Sequence, residues 1–376
     1  CLVLVMLFIT VTMSAQVTTA TMSGKVTAQD EPIIGATIVA VHEPSGTRYG
    51  TVTNVSGQFN LQGMRTGGLY KVEISYVGYQ TAIYKGINLL LGENYVLNVS
   101  LKESSELLDE VVVTASKESN MKSDRAGAIM NANRDMINST PTISRSISDI
   151  MRLSPQGADV GNGFAVGGGN YRQSFVTVDG AAFNNTFGLG GNLPANGSPI
   201  SLDALEQVTV AVTPFDVRQS GFTGGAINAV TRSGDNQFRG TVYGYFNNEN
   251  LRGDRVEDYK LTRSKSQYYT YGASFGGPII KDKLFFFVNG EYEDNVTAGS
   301  SYQPRTSLDQ EYTGNVRRPV ENTIVDGNET WVGLNDMRQY LKEKYNYDPG
   351  RYNNYSVNTP AYRIMARLDW NANLNN

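Results

Sequence analysis

LEQVTVAVTPFDVRQSGFTGGAINAVTRS, residues 205–233, divides the chain into two kinds of β structure. Ahead of it the sequence is Gly-rich and built of short apolar runs. Behind it come long aromatic runs with alternating faces. A change of solvent accounts for that switch better than a change of soluble domain. Within the stretch, Val208, Val210 and Val212 alternate with Gln207, Thr209 and Ala211, the period of a half-buried strand. Pro214 lacks the N–H that a ladder needs and ends the run. Gly221, Gly224 and Gly225 then permit backbone conformations closed to bulkier residues, ahead of a second short strand over Ala226–Thr231.

From Phe238 onward the period of two is strict. Val242, Gly244 and Phe246 alternate with Arg239, Thr241, Tyr243 and Tyr245. Tyr269, Tyr271, Ala273 and Phe275 alternate with Tyr268, Thr270, Gly272 and Ser274. Leu284, Phe286, Val288 and Tyr292 alternate with Phe285, Phe287, Asn289, Glu291 and Glu293. Tyr362, Ile364, Ala366, Leu368 and Trp370 alternate with Arg363, Met365, Arg367 and Asp369. Apolar-out, polar-in strands of this length are the signature of a transmembrane β-barrel. The connections alternate too: residues 276–282 read as a tight turn, whereas 247–266 and 294–360 are long and polar. Short periplasmic turns and long external loops give that alternation. Trp331, Leu334, Met337, Tyr340 and Leu341 sit at helical spacing within the second loop, which predicts a short helix there. Four strands cannot close a barrel, so further strands are expected beyond residue 376.

The composition agrees. The chain has 376 residues, a formal net charge of -4 and only 18% charged residues, which gives a nucleic-acid partner no basic footprint. It has 39 Gly, 22 Tyr and 14 Phe against 2 Trp, a usage suited to flat strands and aromatic girdles. Cys1 is the single cysteine and His42 the single histidine, so neither a disulfide framework nor a His-pair or Cys-based metal site fits. No cofactor and no metal are expected. The apolar run over residues 2–11 is too short to cross a bilayer as a helix. With Ser14, Ala15 and Gln16 behind it, it reads as the core and cleavage zone of an export signal over residues 1–16 whose basic start lies upstream.

Moving outward to the N-terminal side, residues 17–102 show short β-rich runs at regular spacing with Gly and Asn between them, the pattern of a β-sandwich. Residues 54–57, Asn-Val-Ser-Gly, mark a hairpin. Residues 103–116 are a polar, charged linker interrupted by Val111-Val112-Val113-Thr114, a short and strongly β-prone run. Residues 117–235 form an α+β segment. A helix is expected over residues 144–153, with Ile147, Ile150, Met151 and Leu153 on one face and Pro155 beyond its end. Residues 174–180 read as a strand closing in an Asp179-Gly180 turn. Gly-rich loops flank it at 157–169 and 188–197. Residues 236–376 open the barrel.

These features together resemble the TonB-dependent outer-membrane receptors, and in particular the SusC-like and Oar-like groups. The end of that family's plug has an acidic-Gln/Arg pair before a Val-rich strand, then a Pro, then Gly-Gly-x-Ile-Asn. Here these are Glu206, Val208, Val210, Pro214, Gly224, Gly225, Ile227, Asn228 and Thr231. Residues 17–102 resemble the carboxypeptidase regulatory-like domain, an immunoglobulin- or transthyretin-like sandwich, on Gly24-Lys25-Val26, residues 32–36, Thr53 to Phe59, and Tyr76-Val77-Gly78-Tyr79. Asp109, Glu110, Val111, Val112, Val113, Thr114 and Ala115 resemble the TonB box, an extended segment that adds as a strand to a partner's sheet edge.

The resemblance implies an all-β chain: a sandwich, an α+β plug and the first strands of a barrel in the outer membrane of a Gram-negative bacterium. It implies active import, with the plug displaced by TonB and its inner-membrane energising complex. Outer-membrane lipid would be a further partner, and a surface substrate-binding lipoprotein is left open. Plug loops in the family face substrate, which singles out Asn170, Tyr171, Arg172, Asn184, Asn185 and Phe187. No enzyme activity is expected. Gly272-Ala273-Ser274-Phe275-Gly276 matches a nucleophile elbow, but it lies inside an alternating strand, and the one histidine stands far upstream. Glu291 and Glu293 share a strand face, and a wet, charged wall explains them without catalysis. A surface adhesion protein built from the same β modules is the alternative, and it would not need the segment 109–115.

Overall fold

The computed structural model describes residues 18–103, 111–114, 129–142, 145–160, 163–184, 193, 198–212, 224–251, 253–260, 265–299, 303–305, 316–320, 334–352 and 355–371. Two compact units emerge. One comprises residues 1–242, 273–291 and 363–376, the other residues 243–272 and 292–362.

The first unit opens with the sandwich. Its strands are β1 (Ala20–Ala28), β2 (Glu31–Pro32), β3 (Thr37–His42), β4 (Thr47–Val52), β5 (Gln58–Met64), β6 (Leu69–Ser75), β7 (Ala82–Asn88), β8 (Asn94–Val96) and β9 (Val99–Ser100). Strands β2, β1 and β5 form one sheet with β8 and β9 added to β1, while β7-β6-β3-β4 form the other. Alternating residues fill the space between them. Met22, Val26, Ile38, Ala40, Met64, Tyr70, Val72 and Ile74 are buried and pack as one core. The Asn54 side chain accepts from the Ser56 and Gln58 backbones at 2.9 Å each, and Gly57 takes a left-handed φ of 72°, which makes the hairpin read from the sequence.

A short strand, β10 (Val111–Thr114), follows and pairs in parallel with β7. The plug sheet comes next. It is ordered β11 (Ile129–Asn133), β16 (Leu205–Ala211), β17 (Ala226–Thr231), β14 (Phe175–Val178) and β15 (Ala181–Ala182). The hairpin β12 (Gly157–Asp159) and β13 (Phe164–Val166) lies between. Leu205, Val208, Val210, Ile227 and Ala229 form the plug core with Ile147, Ile150 and Met151. Strand β16 is buried along both faces, apart from half-buried Glu206, so its alternation separates two buried environments rather than core from water.

Two helices flank this sheet. The first, α1 (Arg134–Ser139), is capped by the Asn133 side chain. The second, α2 (Ile147–Met151), is shorter than the 144–153 expected. Arg145 takes a positive φ of 50°, which prevents an earlier start. At the other end, i→i+3 bonds from Leu153 and Ser154 tighten the last turn before Pro155. Leu153 therefore leaves the buried face and is exposed.

Four long strands complete the picture: β18 (Arg239–Asn248), β21 (Ser266–Ile280), β22 (Leu284–Ala298) and β25 (Ser356–Trp370), hydrogen-bonded in that order. Strand β21 runs on to Ile280, so the turn is 281–283 and tighter than the 276–282 read from the sequence; Asp282 supplies its left-handed residue at φ 62°. In the first unit, Phe285, Phe287, Asn289, Glu291 and Arg363 are buried. The opposite face is open, with Val242 at 88%, Ile364 at 88% and Leu368 at 70% exposure. The second unit holds the remaining lengths of these strands, with small pairs β19 (Arg255–Val256) with β20 (Tyr259–Lys260) and β23 (Gln303–Arg305) with β24 (Val316–Val320). It also holds α3 (Leu334–Tyr345), the helix expected from the loop spacing. Aromatic rings pair there, Tyr292 with Tyr362 and Phe246 with Tyr269, both with centroids 5.0 Å apart.

Candidate functional site

The plug sheet meets the inner face of the wall strands through side chains fixed at both ends. Asn228, on β17, accepts from the Thr177 hydroxyl of β14 at 2.7 Å, which ties the two strands across the sheet. Thr231, at the end of β17, donates its N–H to Asp179 at 2.9 Å and its hydroxyl to the same carboxylate. The Asp179-Gly180 turn therefore clamps the strand that leads into the barrel.

The wall reaches in from β25 and β22. Arg367 donates to the Thr231 carbonyl at 2.8 Å and pairs with Asp179 at 3.5 Å. It also pairs with Asp369 at 3.0 Å, and Asp369 accepts from Arg65 of the sandwich at 2.9 Å. Four residues before Arg367, Arg363 donates to the Ser198 carbonyl and pairs with Glu291 at 2.8 Å. Glu291 in turn accepts from Ser201 at 2.7 Å. Both members of that pair are 3% exposed. The Arg232 guanidinium lies 4.9 Å over the Phe287 ring. Each of these contacts is polar or cation–π and can break without leaving an apolar scar, unlike the interdigitated core of a single domain.

Below them lies a cavity of about 520 Å³ lined by His42, Arg65, Glu206, Arg232, Arg239 and Arg367 among others. Burial lifts the Glu206 carboxyl above the ordinary range, while Arg232 and Arg134 pull it the other way. Burial likewise lowers Arg232, helped by the like charge of Arg134. The sandwich seals one side. Asn236 donates its N–H to the Pro44 carbonyl at 3.0 Å, Asn371 donates to Thr47 at 2.9 Å, and Gly67 at φ 77° lies over Glu206, where a Cβ would stand 2.5 Å from its Oε1.

The residues singled out for substrate fall in different settings. Asn170 caps the turn Tyr171–Gln173 and accepts from the Arg172 N–H at 3.0 Å. Arg172 is exposed, reaches the Tyr171 hydroxyl at 3.0 Å and sits 5.5 Å over its ring. Asn184 uses its oxygen on the Val176 N–H and its nitrogen on the Ser174 carbonyl, both at 2.7 Å, and so fastens the chain to β14. Asn185 and Phe187 lie outside the described residues, as do Asp109, Glu110 and Ala115. The wall–plug contacts of Arg363, Arg367 and Asp179 were not foreseen, although two arginines on the polar face of one strand were a visible signal.

A sheet with an open apolar face and a polar face closed by a plug defines an outer-membrane barrel protein. Comparison with known proteins agrees. Residues 230–376 match the outer membrane beta barrel domain, and residues 21–102 match the carboxypeptidase regulatory-like domain. The TonB-dependent transporter Oar of Myxococcus xanthus is 32% identical over 151 residues, 38% of this chain and 14% of that protein. The TonB-dependent receptor SusC of Bacteroides thetaiotaomicron is 29% identical over 221 residues, 55% of this chain and 20% of that protein. The probable TonB-dependent siderophore receptor PirA of Acinetobacter baumannii is 26% identical over 246 residues, 60% of this chain and 31% of that protein. The PirA crystal structure from that organism superposes on 45% of this chain and 24% of its own, at 19% identity and a TM-score of 0.37. The chain thus spans 14%, 20% and 31% of these three curated relatives. It is similar to the TonB-dependent receptors, and its barrel-domain match places it in the outer membrane of a Gram-negative bacterium.

Proposed function

We infer that the protein takes part in TonB-dependent import across the outer membrane. The observation that carries this reading is the plug held to the polar face of the wall strands, Ser198 by Arg363, Ser201 by Glu291 and Thr231 by Arg367, while the apolar face stays exposed. A stopper held by ion pairs and hydrogen bonds is displaceable by force, and import then needs no chemistry on the substrate.

The segment 109–115 receives that force as the TonB box. Its Val111–Thr114 core is already extended, the conformation strand addition requires. Tension on it runs to Ile129, the first residue of the plug sheet. Substrate binds on the outer side, at Asn170, Tyr171, Arg172, Asn184, Asn185 and Phe187; half-buried Tyr171 and exposed Arg172 together offer a flat, cationic surface to a polar ligand. Val112→Pro removes a backbone donor from the box. In outer membranes carrying the full-length receptor, this variant is expected to lose capture by the TonB periplasmic domain. Unchanged capture would remove the coupling role and favour an adhesion protein.

A further inference from the structure

The four residues Val111–Thr114 pair in parallel with Ala82 to Lys85: Val111 with Ala82, Val112 with Ile83, Val113 with Tyr84 and Thr114 with Lys85. Without them β7 would be the edge of its sheet, since β6 is its other neighbour. Open edges attract extended segments, and four β-branched residues in a row are well suited to one. The sandwich is also fastened to the wall, through Arg65–Asp369 at 2.9 Å and Asn371–Thr47 at 2.9 Å.

The geometry points to the β7 edge as a docking surface for the box, on which the sandwich stores this strand until TonB draws it off. This rests on the reading of 109–115 as the TonB box. The reasoning is mechanical. While the strand stays on β7, a pull on it loads the sandwich, and the sandwich passes the load to Asp369 in the wall strand. That path does not run along the chain into β11. Only after the strand leaves β7 does tension run along the chain from Thr114 to Ile129 and into β11. Parallel pairing is the weaker kind of ladder and here it is only four residues long, so release is within reach of a pulling partner. The sandwich thus sets the threshold at which force reaches the plug.

Lys85 is exposed and stands opposite Thr114, a position suited to a reversible bridge. The test uses the full-length receptor in outer membranes, with Cys1→Ser and the pair Lys85→Cys and Thr114→Cys. Mild oxidation is expected to join the two, read as a linked peptide by mass spectrometry. In single-molecule pulling through the TonB periplasmic domain, the reduced pair should extend by the length of the plug, and this reduced state is the reference for the oxidised one. Oxidation should abolish that extension at the same force, and reductant should restore it. Failure to form the bridge, or equal extension in both states, overturns the docking. Failure of the box reading gives a different result: the bridge forms, but TonB fails to attach to the wild type or attaches equally to Val112→Pro.

Discussion

His42 shows how a single buried side chain sets a pH limit. Its Nε2 lies 2.6 Å from the Gly67 carbonyl, which can only accept, so Nε2 carries the proton. Nδ1 then accepts from Ser45 at 2.7 Å, and Ser45 lies 2.7 Å from Thr47. Burial, more than any charge, lowers this histidine from 6.5 to about 4, so it is neutral at pH 7. The folded-state value is below the unfolded one, so the native state binds fewer protons. The stabilisation is therefore fully present above about pH 6.5 and is lost as pH falls towards 4, a change on the order of 3 kcal/mol. Hydrogen exchange in the full receptor should show the strand containing His42 opening more often at pH 5 than at pH 7, and His42→Gln should flatten that dependence. In the buried ion pair between β22 and β25, Glu291→Ala removes the carboxylate that Arg363 pairs with, which should cost about 3–5 kcal/mol. Faster exchange around Ser198–Ser201 would report it, since both residues are tied to the same pair.

Among the elements, β25 offers the sharpest contrast. Ile364 is 88% exposed on the outward face, whereas its neighbour Arg363 is buried. Ile364→Arg puts a charge into hydrocarbon, about 2–4 kcal/mol against insertion near the midplane. Outer-membrane levels of that variant should fall, while Met365→Arg, on the polar face, should be tolerated. The period of two made this face legible from sequence because lipid and lumen demand opposite chemistry at successive residues. Helix α2 was less legible: its apolar spacing continued past the point where Arg145 and the i→i+3 bonds before Pro155 confine it. The pairing of β10 with β7 was not legible at all. Parallel partners 29 residues apart share no turn and leave no local mark, as Val111 and Ala82 illustrate.

At the scale of the molecule, the chain places a sandwich, a plug and wall strands in sequence, and the wall–plug contacts use residues distant along the chain. Arg367 meets Thr231 and Asp179, and Arg363 meets Ser198, from wall to plug. The acidic and basic residues were visible on the polar faces of their strands, but which would meet depended on the tertiary fold. The solvent on each side of the wall is what the whole account rests on. It is read most directly by spin-labelling residues 362–370 one at a time in the intact receptor in outer membranes and measuring collision with oxygen and with a water-soluble nickel complex. The account predicts a period of two: oxygen contact dominant at 362, 364, 366, 368 and 370, and shielding from both agents or access to nickel alone at 363, 365, 367 and 369. Uniform access to the nickel complex along the strand would contradict it.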